Sequence, residues 1–374
     1  MAPSIYPDPK EGSFPTPALG PLRTIPSGMR RSVWASTKAF LARHPVLCLA
    51  LLSPGIPEYL SSSSALSTVF TNPLFFLLQL GANLGLYVPG VLLIREAMVR
   101  WNKGWASVLV LGAAYGILEE GIALETLFYS GAGPVGGLGY YGHWLGVNWV
   151  WVPGVLLVHM IFSVSLPILL LGLALPKTRG CSLVGRTGIG LALLAWAIDI
   201  PLLMVFVHAV YHYWMGWPIF FSSLALIGLL VWTAYRLPST FLPARSGPPR
   251  VSLLRAAILG LMFFPPIWLF EGLFRAWHVV PLGTILAILL FELGLGYVIV
   301  RVIGTTANER QLVALASGAL MPIAFVGFVA ELPIPVTAFA DLAAAWFLWH
   351  LWRKYPVPPP TAGIPVPPGV AASA

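Results

Sequence analysis

A chain of 374 residues that holds only 13 carboxylates and seven histidines places several of them where apolar residues belong. Glu119 and Glu120 stand within Gly116-Ile-Leu-Glu-Glu-Gly-Ile, and Glu125 follows shortly after. His159 precedes Ser163 by four residues, and a later stretch carries Asp199, His208 and His212. All lie in long apolar runs, where one ionisable group costs about 2.5–3.5 kcal/mol on insertion scales. Groups kept at that cost do chemistry, pass ions or protons, or pin helices together through hydrogen bonds.

The chemistry that suits this set is hydrolysis. Two neighbouring carboxylates in a medium of low dielectric do not readily ionise together, so one can hold or take a proton near neutral pH. One histidine would orient a water, and another, with a neighbouring donor, would stabilise an oxyanion. Imidazoles and a carboxylate equally suit a divalent metal such as zinc. The residue types leave metal-free and metal-assisted hydrolysis both open. Glu119, Glu120, His159, His208 and His212 form the candidate catalytic set. Two other uses compete. A path through Asp199, Glu292 and the same glutamates would make a secondary transporter or proton-coupled permease. A network that only pins helices would make a non-catalytic membrane scaffold.

Composition says what must position these groups. Hydrophobic residues make up 58% of the chain and charged residues 9%, against about 25% charged in soluble domains. The apolar excess must face lipid, and crossing the hydrocarbon core takes about 20 residues. Runs of that kind fall near 45–60, 74–94, 105–129, 148–175, 189–214, 217–235, 256–272, 280–300, 312–330 and 335–352. The expected fold is an all-α, polytopic bundle of about ten transmembrane helices over 45–352, with 105–214 as its candidate catalytic core. Residues 1–44 read as a basic, disordered leader and 353–374 as a proline-rich tail. The first run is the shortest and is broken by Ser53-Pro54-Gly55 and Pro57.

All 21 lysines and arginines except Arg275 fall on one side of this alternation. The positive-inside rule makes that side cytoplasmic and puts both termini there, in a multi-pass protein of the cell membrane. Topology thus accounts for the net charge of +8, and no nucleic-acid partner is expected. The expected partners are the lipid bilayer and a membrane peptide or protein substrate. Two cysteines, Cys48 and Cys181, give no disulfide framework. Gly131 to Gly139, glycine-rich and without a P-loop lysine, reads as an outer loop or lid.

Depth brings part of the candidate set together. At ~1.5 Å per residue, Glu119, Glu120 and His159 all lie roughly 15 Å below the outer surface on sequential antiparallel helices. His208 lies shallower, at roughly 9 Å, with His212 on the same face. Adjacent glutamates in an α-helix point about 100° apart, so only one should face His159 squarely. Gly112 and Gly116 would permit a close helix approach beside them. Asp199 falls outside the cluster. Glu58, Glu271 and Glu331 sit at outer helix ends, where solvation is the simplest expectation.

The ordered set Glu119-Glu120, His159, His208 on three successive helices resembles the CPBP superfamily of intramembrane endopeptidases. That superfamily includes CAAX prenyl proteases and bacteriocin-processing enzymes, and its motifs are EExxxR, FxxxH and a later histidine followed at the fourth position by asparagine or aspartate. Leu124, Val155 and His212 depart from these patterns. The resemblance spans about residues 105–214. It implies a water activated at Glu119 or Glu120, with His159 and His208 around it.

Overall fold

The computed structural model describes residues 40, 43–242, 251–263, 265–303, 308–333 and 335–355. The chain divides into two units, Met1–Arg43 and His44–Ala374. Most of the expected leader and all of the expected tail beyond residue 355 lie outside the described residues.

The second unit is built from helices. They are α1 (Pro45–Leu60), α2 (Pro73–Arg100), α3 (Trp105–Ala123), α4 (Trp151–Ala174), α5 (Arg186–Tyr211) and α6 (Trp217–Arg236). Then follow α7 (Leu253–Leu261), α8 (Pro265–Ala276), α9 (Pro281–Val302), α10 (Glu309–Ala330) and α11 (Ala338–Lys354). Every expected apolar run falls on a helix, and the run at 256–272 is divided between α7 and α8. Seven of the described helices, α2 to α6, α9 and α10, are long and apolar enough to cross a membrane. The protein is a multi-pass, all-α membrane protein.

Small residues set the tightest crossing. A β-carbon on Gly318 of α10 would collide with the Ala257 carbonyl of α7, and one on Gly260 with the Leu315 carbonyl. Without a hydrophobic force between helices in lipid, such backbone proximity supplies the packing energy. α3 likewise packs against α4 and α6, and α2 against α5. One cluster around Phe162, Leu170, Val313 and Ile323 joins α4 to α10. A second, around Tyr87, Val91, Tyr115 and Val164, joins α2, α3 and α4.

Three of these helices contain π-helical turns, at Gly55–Leu60, Ile117–Ala123 and His159–Ser165. Each has a local cause. Pro57 lies within the first, and Gly116 and Gly121 flank and interrupt the second. Pro167 follows the third, where its missing N–H and its ring free the carbonyl of Ser163. π turns in general gather at functional sites. Here they carry Glu58, Glu119 with Glu120, and His159 with Ser163.

Between α3 and α4 a two-residue hairpin pairs His143–Trp144 with Val147–Asn148. Leu145 and Gly146 take φ of 52° and 72°, the left-handed pair that a tight hairpin turn demands.

Candidate active site

Glu119, Glu120 and His159 meet at the crossing of α3 and α4. The glycines let them. A β-carbon on Gly112 would stand 2.9 Å from Met160 Cα, and one on Gly116 would stand 2.9 Å from Leu156 Cδ2. With hydrogen there instead, the two backbones close up and the His159 ring enters between the carboxylates.

Both glutamates reach that ring, one at each nitrogen. Nε2 lies 3.0 Å from Glu120 Oε1, and Nδ1 lies 3.1 Å from Glu119 Oε2. Ser163 Oγ also stands 3.1 Å from Nδ1. The sequence expectation of one facing glutamate assumed α-helical geometry. The segment is instead π-helical, with Leu124 N–H donating to the Glu119 carbonyl five residues back. Glu119 is 1% exposed and His159 2%, so water does not screen the trio from the side chains around it.

The loop after α3 secures Glu120. The Thr126 hydroxyl donates to Glu120 Oε2, and Trp151 Nε1 donates to Thr126 Oγ1 at 3.3 Å. Asn148 of the hairpin donates its amide to the Thr126 carbonyl at 2.7 Å, and His143 Nδ1 lies 2.6 Å from Asn148 Oδ1. Both Glu120 oxygens are therefore committed. Glu119 Oε2 is buried and, apart from its charge contact with His159, meets hydrogen-bond geometry with no protein group.

Two phenols and a third carboxylate flank Glu119. Tyr87 and Tyr115 are both its electrostatic neighbours, and their rings lie 6.0 Å apart. Tyr87 donates its hydroxyl to Glu58 Oε1 at 2.5 Å, and Ser64 donates to Glu58 Oε2 at 2.7 Å. Glu58 in turn interacts electrostatically with Glu119 and Glu120. Sequence reading missed these groups. An aromatic in an apolar run carries no mark of function, although Tyr115 stands one helical turn before Glu119. Glu58 is half-buried and bonded inside the bundle, not a solvated end residue. Glu271 and Glu331 are buried too, Glu331 accepting Thr337 N–H at 2.7 Å.

His208 and His212 do not join the trio. His208 is exposed and bonds the Tyr213 carbonyl at 3.2 Å, while His212 is exposed and ends α5 with φ of 50°. The reason lies one residue away. α5 buries Val207, so His208, turned about 100° from it, faces outward. Asp199 also stands apart, its carboxyl group set against Gly85 of α2. Glu125, beyond the end of α3, accepts Met215 N–H at 2.9 Å. Burial pushes its carboxyl up to about 7, opposed in part by that N–H and by His208.

Glu119, Glu120 and His159 each offer one ligand atom, and the three atoms lie within 4.8 Å of one another. Three such groups fit a divalent ion with an open fourth position, the pattern of catalytic zinc. Equally, the trio can hold a water, with Glu119 as the group free to take its proton. No protein-family model, curated protein or solved structure matches the chain.

Proposed function

We propose that this protein is an intramembrane hydrolase that cleaves a membrane-associated peptide, as its resemblance to the CPBP endopeptidases implies. One observation carries the reading: a buried imidazole held between two buried carboxylates on π turns of adjacent helices. Glu119, with an uncommitted oxygen, is the general base that takes a proton from water. His159 orients that water, and Glu120, tied to Thr126, fixes the imidazole. Base, orienting group and support then form the usual chain of an activated nucleophile. A divalent ion on the same three groups would supply the activation by lowering the pKa of the water it binds.

The topology proposed with it has ten passes. α1, α11 and the α7–α8 pair cross alongside the seven long helices, and both termini are cytoplasmic. Cations at the ends of several helices support this, with Arg236 over Trp232, Arg301 over Tyr297 and Arg353 over Trp349.

The test uses full-length protein in lipid nanodiscs with a library of internally quenched peptides anchored by a palmitoyl chain. Cleavage should occur and should be abolished by Glu119→Gln and His159→Ala. Cleavage that survives both substitutions, or no cleavage of any peptide, would overturn the reading. Loss of cleavage on chelation, restored by zinc, would select the metal-assisted form.

A second reading rests on Glu271, which is buried with both carboxylate oxygens unpartnered and has Glu292 as an electrostatic neighbour. Intramembrane acids of this kind serve proton-coupled transport. Proton flux in liposomes that Glu271→Gln removes would favour it.

A further inference from the structure

Hydrolysis of a peptide bond needs more than a base. As water adds to the carbonyl carbon, negative charge gathers on the carbonyl oxygen, and a fixed donor must meet it. The sequence offered His208 for that task, and His208 is exposed on α5. Among the described residues, the donors around Glu119 are few. Tyr87 has given its hydroxyl to Glu58, Thr126 has given its own to Glu120, and Trp151 donates to Thr126.

One hydroxyl is left over. Tyr115 is 2% exposed, its Oη is buried, and it meets hydrogen-bond geometry with no protein group although Glu119 is its electrostatic neighbour. A buried hydroxyl without a partner carries a desolvation penalty, so its retention asks for a use. The ring is held firmly. It stacks on Trp196 of α5 at 6.2 Å and lies edge-on to His159 at 5.9 Å. Trp196 is itself fixed by donating its N–H to the Leu86 carbonyl at 2.8 Å. On the far side Gly90 of α2 makes the room, since a β-carbon there would stand 2.8 Å from Tyr115 Cδ2 and 2.9 Å from Trp196 Cζ2. Three helices thus lock a phenol whose O–H is uncommitted.

Building on the hydrolase reading above, we infer that Tyr115 is a catalytic residue whose hydroxyl donates to the oxyanion of the tetrahedral intermediate. The step balances without further reactants. Water oxygen bonds to the carbonyl carbon, its proton passes to Glu119, and the carbonyl π pair moves onto oxygen, which accepts the Tyr115 O–H hydrogen bond. On collapse the C–N bond breaks, and the leaving nitrogen takes the proton back from Glu119. Tyr115 keeps its proton throughout.

The experiment compares wild type, Glu119→Gln and Tyr115→Phe as full-length proteins in nanodiscs on the palmitoyl-anchored quenched peptides. Removing one oxyanion donor should lower kcat roughly 100- to 1000-fold. KM should stay put, because the interaction is made only in the transition state. The melting temperature should not fall, because the lost hydroxyl had no partner to abandon. Glu119-dependent cleavage with an undiminished kcat in Tyr115→Phe would overturn the oxyanion assignment alone. A Tyr115→Phe protein that melts markedly lower or does not fold would overturn it too, by showing a structural hydroxyl. Cleavage indifferent to Glu119→Gln would instead remove the hydrolase reading on which the assignment stands.

Discussion

A β-carbon on Gly116 would stand 3.1 Å from the Cβ of His159. The hydrogen at this one position on α3 sets how far the imidazole of α4 can enter between Glu119 and Glu120. Gly116→Ala adds a methyl where Leu156 and His159 must give way. Overpacking of this kind costs about 1–3 kcal/mol, offset by about 1 kcal/mol of helix propensity. Stability in a nanodisc melt should therefore drop only slightly. Turnover should fall roughly 100-fold, since displacement by about 1 Å is enough for that. Full turnover in Gly116→Ala would show that the crossing distance does not control the site.

Thr126 links the outer loop to Glu120, so its hydroxyl is predicted to be structural. Thr126→Val keeps the shape but strands a carboxylate oxygen and the Trp151 N–H. Unpaired buried groups of this sort cost about 1–3 kcal/mol. Chemical or thermal unfolding should register that loss, and an unchanged midpoint would contradict the hydrogen-bond chain through Asn148.

The two phenols beside Glu119 should behave oppositely under the same substitution. Tyr87→Phe removes the donor to Glu58 and should destabilise by about 1–3 kcal/mol, because the acceptor stays behind. Tyr115→Phe abandons no partner and should leave the melting temperature level or raise it. Equal losses in both would mean that both hydroxyls are equally bonded.

Glu125 gives a pH dependence whose sign follows from its burial. Its carboxyl sits at about 7 when folded, against an ordinary value of 4.5. Between those values the folded state holds a proton that the unfolded state has released. Its contribution to stability is therefore present below pH 4.5 and is lost as pH rises through about 7. The melting temperature should decline over that interval more steeply in wild type than in Glu125→Gln. Identical slopes would refute the assignment.

His208→Ala and His212→Ala should leave hydrolysis intact, since both rings face outward at the end of α5. Loss of activity in His208→Ala, with folding preserved, would require a rearranged α5 and would restore His208 to the site.

Much of this arrangement was legible in the residues. Apolar runs punctuated by Arg95, Lys177 or Arg236 mark helices because lipid leaves the chain few other options. Glu119, Glu120 and His159 could be brought to one depth because their helices are sequential and antiparallel. What could not be read was rotation. Whether His208 faces in or out depends on which side of α5 packs on α2, and Val207 decided it through tertiary contact. Both glutamates meeting one ring depended on a departure from α-helical geometry, signalled only weakly by Gly121 and Pro167. Tyr115 was illegible for another reason: its significance lies in the partner its hydroxyl lacks, which no sequence displays.

The π turn at His159–Ser165 spends one residue more than an α-helix would need to climb the same height. Everything after it in α4 is therefore phased by that surplus residue, including Leu170, Leu171 and Leu173, which are buried against neighbouring helices. Excising a single residue between 160 and 165 would rewind the helix and swing the whole segment to Ala174 by about 100°. The catalytic half and the cytoplasmic-facing half of α4 thus share one phase, and a shortening by one position would uncouple the imidazole from the packing that supports it.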